Sequence, residues 1–141
     1  MLSIGELSRL TAVKIPTIRY YEKIGLLSEP LRSEGNQRRY AKRELERLSF
    51  IRHARDLGLP ILSIRELIEL GNYPERPCTD ADRIARQHLG QVKQRISLLK
   101  NLEAELERIV SGCDADHKVE NCYVIRSLAD HNLCQKEHTD L

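Results

Sequence analysis

Cys78, Cys113 and Cys122 are the residues of this chain best suited to chemistry, and their spacing indicates which chemistry. Thiolates are soft donors that favour zinc, cadmium, lead, mercury and copper(I) over hard ions. Cys113 and Cys122 bracket a polar loop, Asp114 to Asn121, short enough to close round one ion. His117 in that loop is a further candidate ligand, since a third or fourth donor turns a two-coordinate clip into a trigonal or tetrahedral site. Cys78 precedes a proline-free stretch, residues 79–112, that reads as one helix. Such a helix holds Cys78 and Cys113 roughly 50 Å apart, so they are not expected to meet within one chain. Two such helices paired antiparallel would bring Cys78 of one subunit beside Cys113 and Cys122 of the other. The expected metal site is therefore shared across a homodimer. His131, Cys134 and His138, one to two helical turns apart in the tail, form a candidate accessory metal site.

Elements of recognisable kind must position these groups. Ser3, with Glu6 three residues on, reads as the N-cap and capping box of a short helix carrying Ile4, Leu7 and Leu10. The run Thr11-Ala-Val-Lys reads as a turn, and Pro16 suits the first turn of a second helix that Gly25 stops. Together they form a helix-turn-helix pattern. Residues 28–38, with Pro30, Gly35 and Asn36, read as a small β-hairpin or wing. An amphipathic helix is expected over 42–57, with Leu45, Leu48, Ile51, His53 and Ala54 on one face, and a shorter one over 64–70 capped by Ser63. Residues 71–77 read as a linker. In the long helix, Ala85, Leu89, Val92, Ile96, Leu99, Leu106, Val110 and Cys113 largely follow steps of four and three, interrupted at Glu103. That pattern predicts a coiled coil. The competing arrangement is an all-α bundle, but few other apolar helices remain to cover so long a stripe. A last short helix is expected over 123–128.

The expected fold is mostly α. It comprises a winged helix-turn-helix domain (1–71), a linker and antiparallel dimerisation helix (72–112), and a metal-binding loop, short helix and tail (113–141). Composition agrees: 31% charged and 4% aromatic residues, with no Trp and one Phe, do not furnish one large core. Residues 1–58 carry twelve Lys or Arg against seven Asp or Glu, whereas the remainder carry eleven against fourteen. A basic head on an acidic body suggests nucleic-acid binding at the N-terminal end. With neither a long apolar run nor a signal-peptide core, a soluble cytoplasmic protein without membrane partners is expected. Paired catalytic carboxylates, a Gly-rich phosphate loop and a nucleophile elbow are all lacking, so an enzyme is not expected.

The segments Thr17-Ile-Arg-Tyr-Tyr-Glu-Lys-Ile-Gly-Leu-Leu and Gly35-Asn-Gln-Arg-Arg-Tyr resemble the MerR family of transcriptional regulators, and the order of linker, long helix and cysteine loop extends the resemblance over the whole chain. The residues read the same way physically. Lys14, Thr17, Arg19 and Tyr20 project from the start of the second helix, where a recognition helix meets the major groove, and Arg38, Arg39 and Tyr40 at the wing tip are placed to grip the phosphate backbone. Ile18 and Tyr21 are assigned to the core. The resemblance implies that Cys113 and Cys122 are the paired loop cysteines of the metal-sensing branch and Cys78 the cysteine that starts its dimerisation helix. The copper(I)-type sensors of that branch carry serine at the Cys78 position, so cysteine there implies a divalent ion. Gly112 stands where zinc-responsive members carry a second adjacent cysteine. That departure argues against a two-zinc site, and the spacing of the three cysteines resembles the mercury- and cadmium/lead-responsive members at least as well. Those branches can use three thiolates, so cadmium, lead or zinc ranks ahead of mercury as effector. The family also contains iron-sulfur redox regulators, which need four clustered cysteines, and organic-ligand sensors with larger effector domains. Family resemblance further implies that a dimer binds promoter DNA with RNA polymerase and that metal distorts the DNA to activate metal-resistance or efflux genes.

Overall fold

The computed structural model describes residues 1–113, 115–116 and 118–130. Within them the chain divides into two compact units, Met1–Asp82 and the described residues from Arg83 onward.

The first unit is built from four helices and a small hairpin: α1 (Ile4–Thr11), α2 (Ile15–Lys23), β1 (Leu31–Arg32), β2 (Arg38–Arg39), α3 (Lys42–Asp56) and α4 (Ile61–Leu70). Ser3 caps α1, its Oγ accepting from the Glu6 N–H at 3.1 Å. The reciprocal arm of the expected capping box is replaced, because the Ser3 hydroxyl itself donates to the Glu6 carboxylate. Pro16 sits in the first turn of α2, where a missing N–H leaves no bond unmade. Gly25, at φ +77°, supplies the left-handed residue that reverses the chain after α2. Leu7, Ile18, Leu26, Leu27, Tyr40, Leu48, Ile51 and Ile64 close the core of this unit.

Three expectations are corrected here. The fourth helix begins at Ile61, with Pro60 rather than Ser63 at its N-cap; the Pro60 carbonyl accepts from the Ile64 N–H and so starts the helical ladder early. His53 lies exposed, one residue off the Leu48–Ile51–Ala54 face. The hairpin turns at Ser33–Asn36, with Asn36 at φ +60°, so Arg38 and Arg39 form its second strand and not its tip.

The first unit also extends beyond residue 71. Backbone hydrogen bonds Tyr73 N–H to Leu70 C=O and Arg76 N–H to Tyr73 C=O curl the connecting segment, and the Arg76 guanidinium stacks 4.0 Å over the Tyr73 ring.

The second unit contains most of α5 (Thr79–Ser111), a 3-10 turn (Val119–Asn121) and α6 (Tyr123–Ala129). α5 is unbroken over 33 residues. One of its faces is apolar and open to solvent: Leu89, Ile96, Leu99, Leu106 and Val110 are between 46% and 66% exposed. Glu105, Ile109 and Ser127 are buried within the unit. No helix among the described residues is long and apolar enough to cross a membrane.

Candidate functional site

Two sites can be built from the residues upward. In the head, α2 is held by hydrogen bonds at its entry and its exit. The Arg52 guanidinium on α3 donates to the Thr11 and Ala12 carbonyls in the turn before α2, and Arg65 on α4 donates to the Ile24 carbonyl after it at 2.7 Å. With Ile18 and Tyr21 buried, the opposite face of α2 is presented outward: Lys14, Arg19 and Tyr20 are exposed and Thr17 is half-buried. The expected core and surface assignments of this helix therefore agree with the structure.

The wing lies beside that face. Arg19, Lys23, Arg32 and Arg38 line one cleft of about 390 Å³ with Glu22, Glu29 and Pro30, which gives four cations against two carboxylates. Arg32 was not anticipated from the sequence; it becomes recognisable once β1 pairs with β2, which sets it opposite Arg38. Its Nη1 donates to the Asn36 carbonyl at 3.0 Å, which braces the turn. Arg39 is half-buried and donates to Gln37 Oε1 at 3.4 Å. Tyr40 is the correction. Its side chain is 0% exposed, and its hydroxyl donates to the Glu22 carboxylate. It pairs through the backbone with Leu2, so strand geometry turns its ring into the core and away from any DNA backbone. Burial, then the Glu22 carboxylate, push its pKa well above the ordinary phenol value. Arg38 is also partly committed inward, its Nε lying 3.5 Å from Glu22 Oε2.

In the second unit, the end of α5 and the start of α6 bring Cys113 and Cys122 together. Cys122 is the N-cap of α6. The Ile125 N–H is the main influence lowering its thiol pKa below the ordinary 9.0; desolvation opposes this, and the Val124 N–H and the Cys113 side chain assist. The two cysteines thus lie close enough for Cys113 to influence the Cys122 thiol, which is biased toward the thiolate that binds metal. The donor set suits a soft ion, but two sulfurs do not complete its coordination, and no cluster of three His, Cys, Asp or Glu side chains occurs among the described residues. Cys78 belongs to the first unit, where it is exposed and lines a cleft of about 350 Å³ with Phe50, Leu67, Leu70 and Tyr73. His117, His131, Cys134 and His138 lie outside the described residues.

Comparison with known proteins identifies the family. The family description "MerR HTH family regulatory protein" matches residues 2–70, and "MerR, DNA binding" matches residues 45–109. The HTH-type transcriptional regulator ZntR of Escherichia coli K12 is 38% identical over 91% of this chain and 92% of its own length. Heavy metal-dependent transcription regulator 2 of Rhizobium meliloti is 33% identical over 92% of this chain and 87% of its own length. The crystal structure of the transcription regulator PbrR691 from Ralstonia metallidurans CH34, in complex with lead(II), superposes with a TM-score of 0.79 at 38% identity, covering 91% of this chain and 99% of that one. These relatives are transcription regulators and not enzymes. With a helix-turn-helix head, a two-stranded wing and one long helix, this chain belongs to the MerR family of helix-turn-helix regulatory proteins.

Proposed function

We propose that this protein is a cytoplasmic, metal-responsive transcription regulator whose effector is a soft divalent ion: cadmium, lead or zinc, with mercury ranked behind them. The observation that carries the reading is that the Tyr123 ring packs on Gly112, which brings Cys113 at the end of α5 and Cys122 at the start of α6 to one place. The lead complex of PbrR691, a relative matched along nearly its whole length, supports it. Cys78 of the partner subunit supplies the third thiolate, and His117 is a candidate fourth ligand. The open apolar face of α5 is covered by the same face of a second copy, antiparallel, which makes the regulator a homodimer.

The dimer binds a pseudo-palindromic promoter, since two-fold protein symmetry is matched by two DNA half-sites. Arg19 and Tyr20 on α2 face the major groove, and Arg32, Arg38 and Arg39 of the wing contact phosphate. Metal binding changes how the promoter is bent and untwisted, and so whether RNA polymerase initiates at metal-resistance or efflux genes.

The test is titration of the reduced protein with cadmium, lead, zinc, mercury and copper(I), paired with transcription from the cognate promoter. A divalent ion should bind tightly and activate in the wild type, and Cys78→Ser should abolish both effects while sparing copper(I) binding at Cys113 and Cys122. Full divalent response in Cys78→Ser would refute the three-thiolate site.

A further inference from the structure

A small packed cluster joins the residues that adjoin the two cysteines. The Tyr123 ring, on the residue that follows Cys122, rests on the backbone of Gly112, the residue that precedes Cys113, and a Cβ built on Gly112 would fall within the ring's own volume. Only glycine permits that approach. The ring is fixed from its other end, where Arg108 Nη1 donates to the Tyr123 hydroxyl at 2.7 Å. Arg108 is itself anchored by Glu105, whose Oε2 accepts from Nε and Nη2 at 3.2 and 3.1 Å; both side chains are largely buried. Backbone hydrogen bonds Cys113 N–H to Val110 C=O and Cys122 N–H to Val119 C=O, each 3.1 Å, hold the two cysteine positions on either side.

We propose that Gly112, Tyr123 and Arg108 form a positioning clamp that presets the separation of the Cys113 and Cys122 thiols and denies position 112 any side chain that could join the donor set. The inference rests on the metal-site reading above and deepens it. Each sulfur is one residue from one half of the ring–glycine contact, so moving the ring moves the pair. Metal sites depend on such supporting groups, because ligands held in place before binding lose less freedom when the ion arrives. None of the three clamp residues is itself a ligand; all act through the cysteines.

Two readouts test this. The first needs no metal. In the full chain carrying Cys78→Ser and Cys134→Ser, the remaining two thiols are equilibrated with glutathione. Two thiols and one oxidised glutathione give one protein disulfide and two reduced glutathiones, and the ratio reports the effective concentration of one sulfur at the other. The second readout is cadmium affinity of the chain with all four cysteines, followed by the thiolate-to-cadmium charge-transfer band. Gly112→Ala should lower both quantities, cadmium affinity by about tenfold or more. Tyr123→Phe, which keeps the ring and loses the Arg108 bond, should have a smaller effect in the same direction. In the Gly112→Ala, Tyr123→Ala double variant, the alanine at 112 should add little to the loss caused by Tyr123→Ala alone, because the clash has been removed.

Wild-type values for Gly112→Ala, or simple additivity in the double variant, would overturn the clamp. If Gly112→Ala loses helix by circular dichroism, Tyr123→Phe and Arg108→Lys decide the matter, and wild-type values in both would overturn it. If the chain with all four cysteines gives no cadmium charge-transfer band, the metal-site reading fails, while the glutathione equilibrium still reports on the clamp.

Discussion

At Glu22 the Tyr40 hydroxyl and the Arg38 guanidinium converge on one largely buried carboxylate, which ties α2 to β2. Tyr40→Phe removes the hydroxyl and leaves that carboxylate with one fewer partner, so it should destabilise the head by about 1–3 kcal/mol in denaturant unfolding. Because folding raises the Tyr40 pKa, its contribution to stability is complete below the ordinary phenol value of 10.0 and is lost as pH rises above it. The Phe variant should therefore lose less stability in that alkaline range than the wild type does. Cys122 behaves with the opposite sign. Its lowered pKa keeps thiolate present at lower pH, so its alkylation by iodoacetamide should reach half-maximal rate below pH 9.0. A midpoint at or above 9.0 would argue against the helix N–H groups as its stabilisers. At this scale the sequence identified the reactive residue types but misjudged Tyr40. Its place in an Arg-Arg-Tyr run resembles a phosphate grip, and only the bridge to Leu2 turns the ring inward.

The elements that carry function differ in how openly the sequence announces them. The α5 stripe was legible because its apolar positions recur at helical spacing, and it remains solvent-exposed along the single chain. Leu106 lies near the C-terminal end of that face at 59% exposure. Leu106→Arg should convert the dimer to monomer in analytical ultracentrifugation, because burying an arginine without a partner opposes the association that a leucine favours by about 1.5–3 kcal/mol. A dimer of unchanged affinity would place the interface elsewhere. The wing was legible as a hairpin, but its register was not, because two-residue strands carry too little alternation to fix one. Register is what brings Arg32 opposite Arg38. Arg32→Ala should weaken binding to all DNA sequences alike and reduce the slope of log affinity against log salt by about one. Arg19→Ala, in contrast, should cost about 1–3 kcal/mol on the operator and relax its specificity, which binding to a set of operator variants would reveal.

For the whole molecule, the proposed sharing of the metal site between subunits makes a prediction about mixtures. A Cys78→Ser chain combined with a Cys113→Ser, Cys122→Ser chain should form heterodimers with one intact site, although neither homodimer has any. Recovery of one tight cadmium site per heterodimer supports the trans arrangement, and no recovery refutes it. The sequence by itself determined the family, the order of elements, the basic head, the long helix and the three cysteines, because these depend on residue type and on local periodicity along the chain. Tertiary structure alone decided that Tyr40 serves the core, that Arg32 joins the basic cleft, and that the Tyr123 ring packs on Gly112, joining the residues that adjoin the two cysteines. Each of these depends on contacts between residues distant in sequence or on the direction a side chain takes from a folded backbone, and neither quantity is written in local pattern.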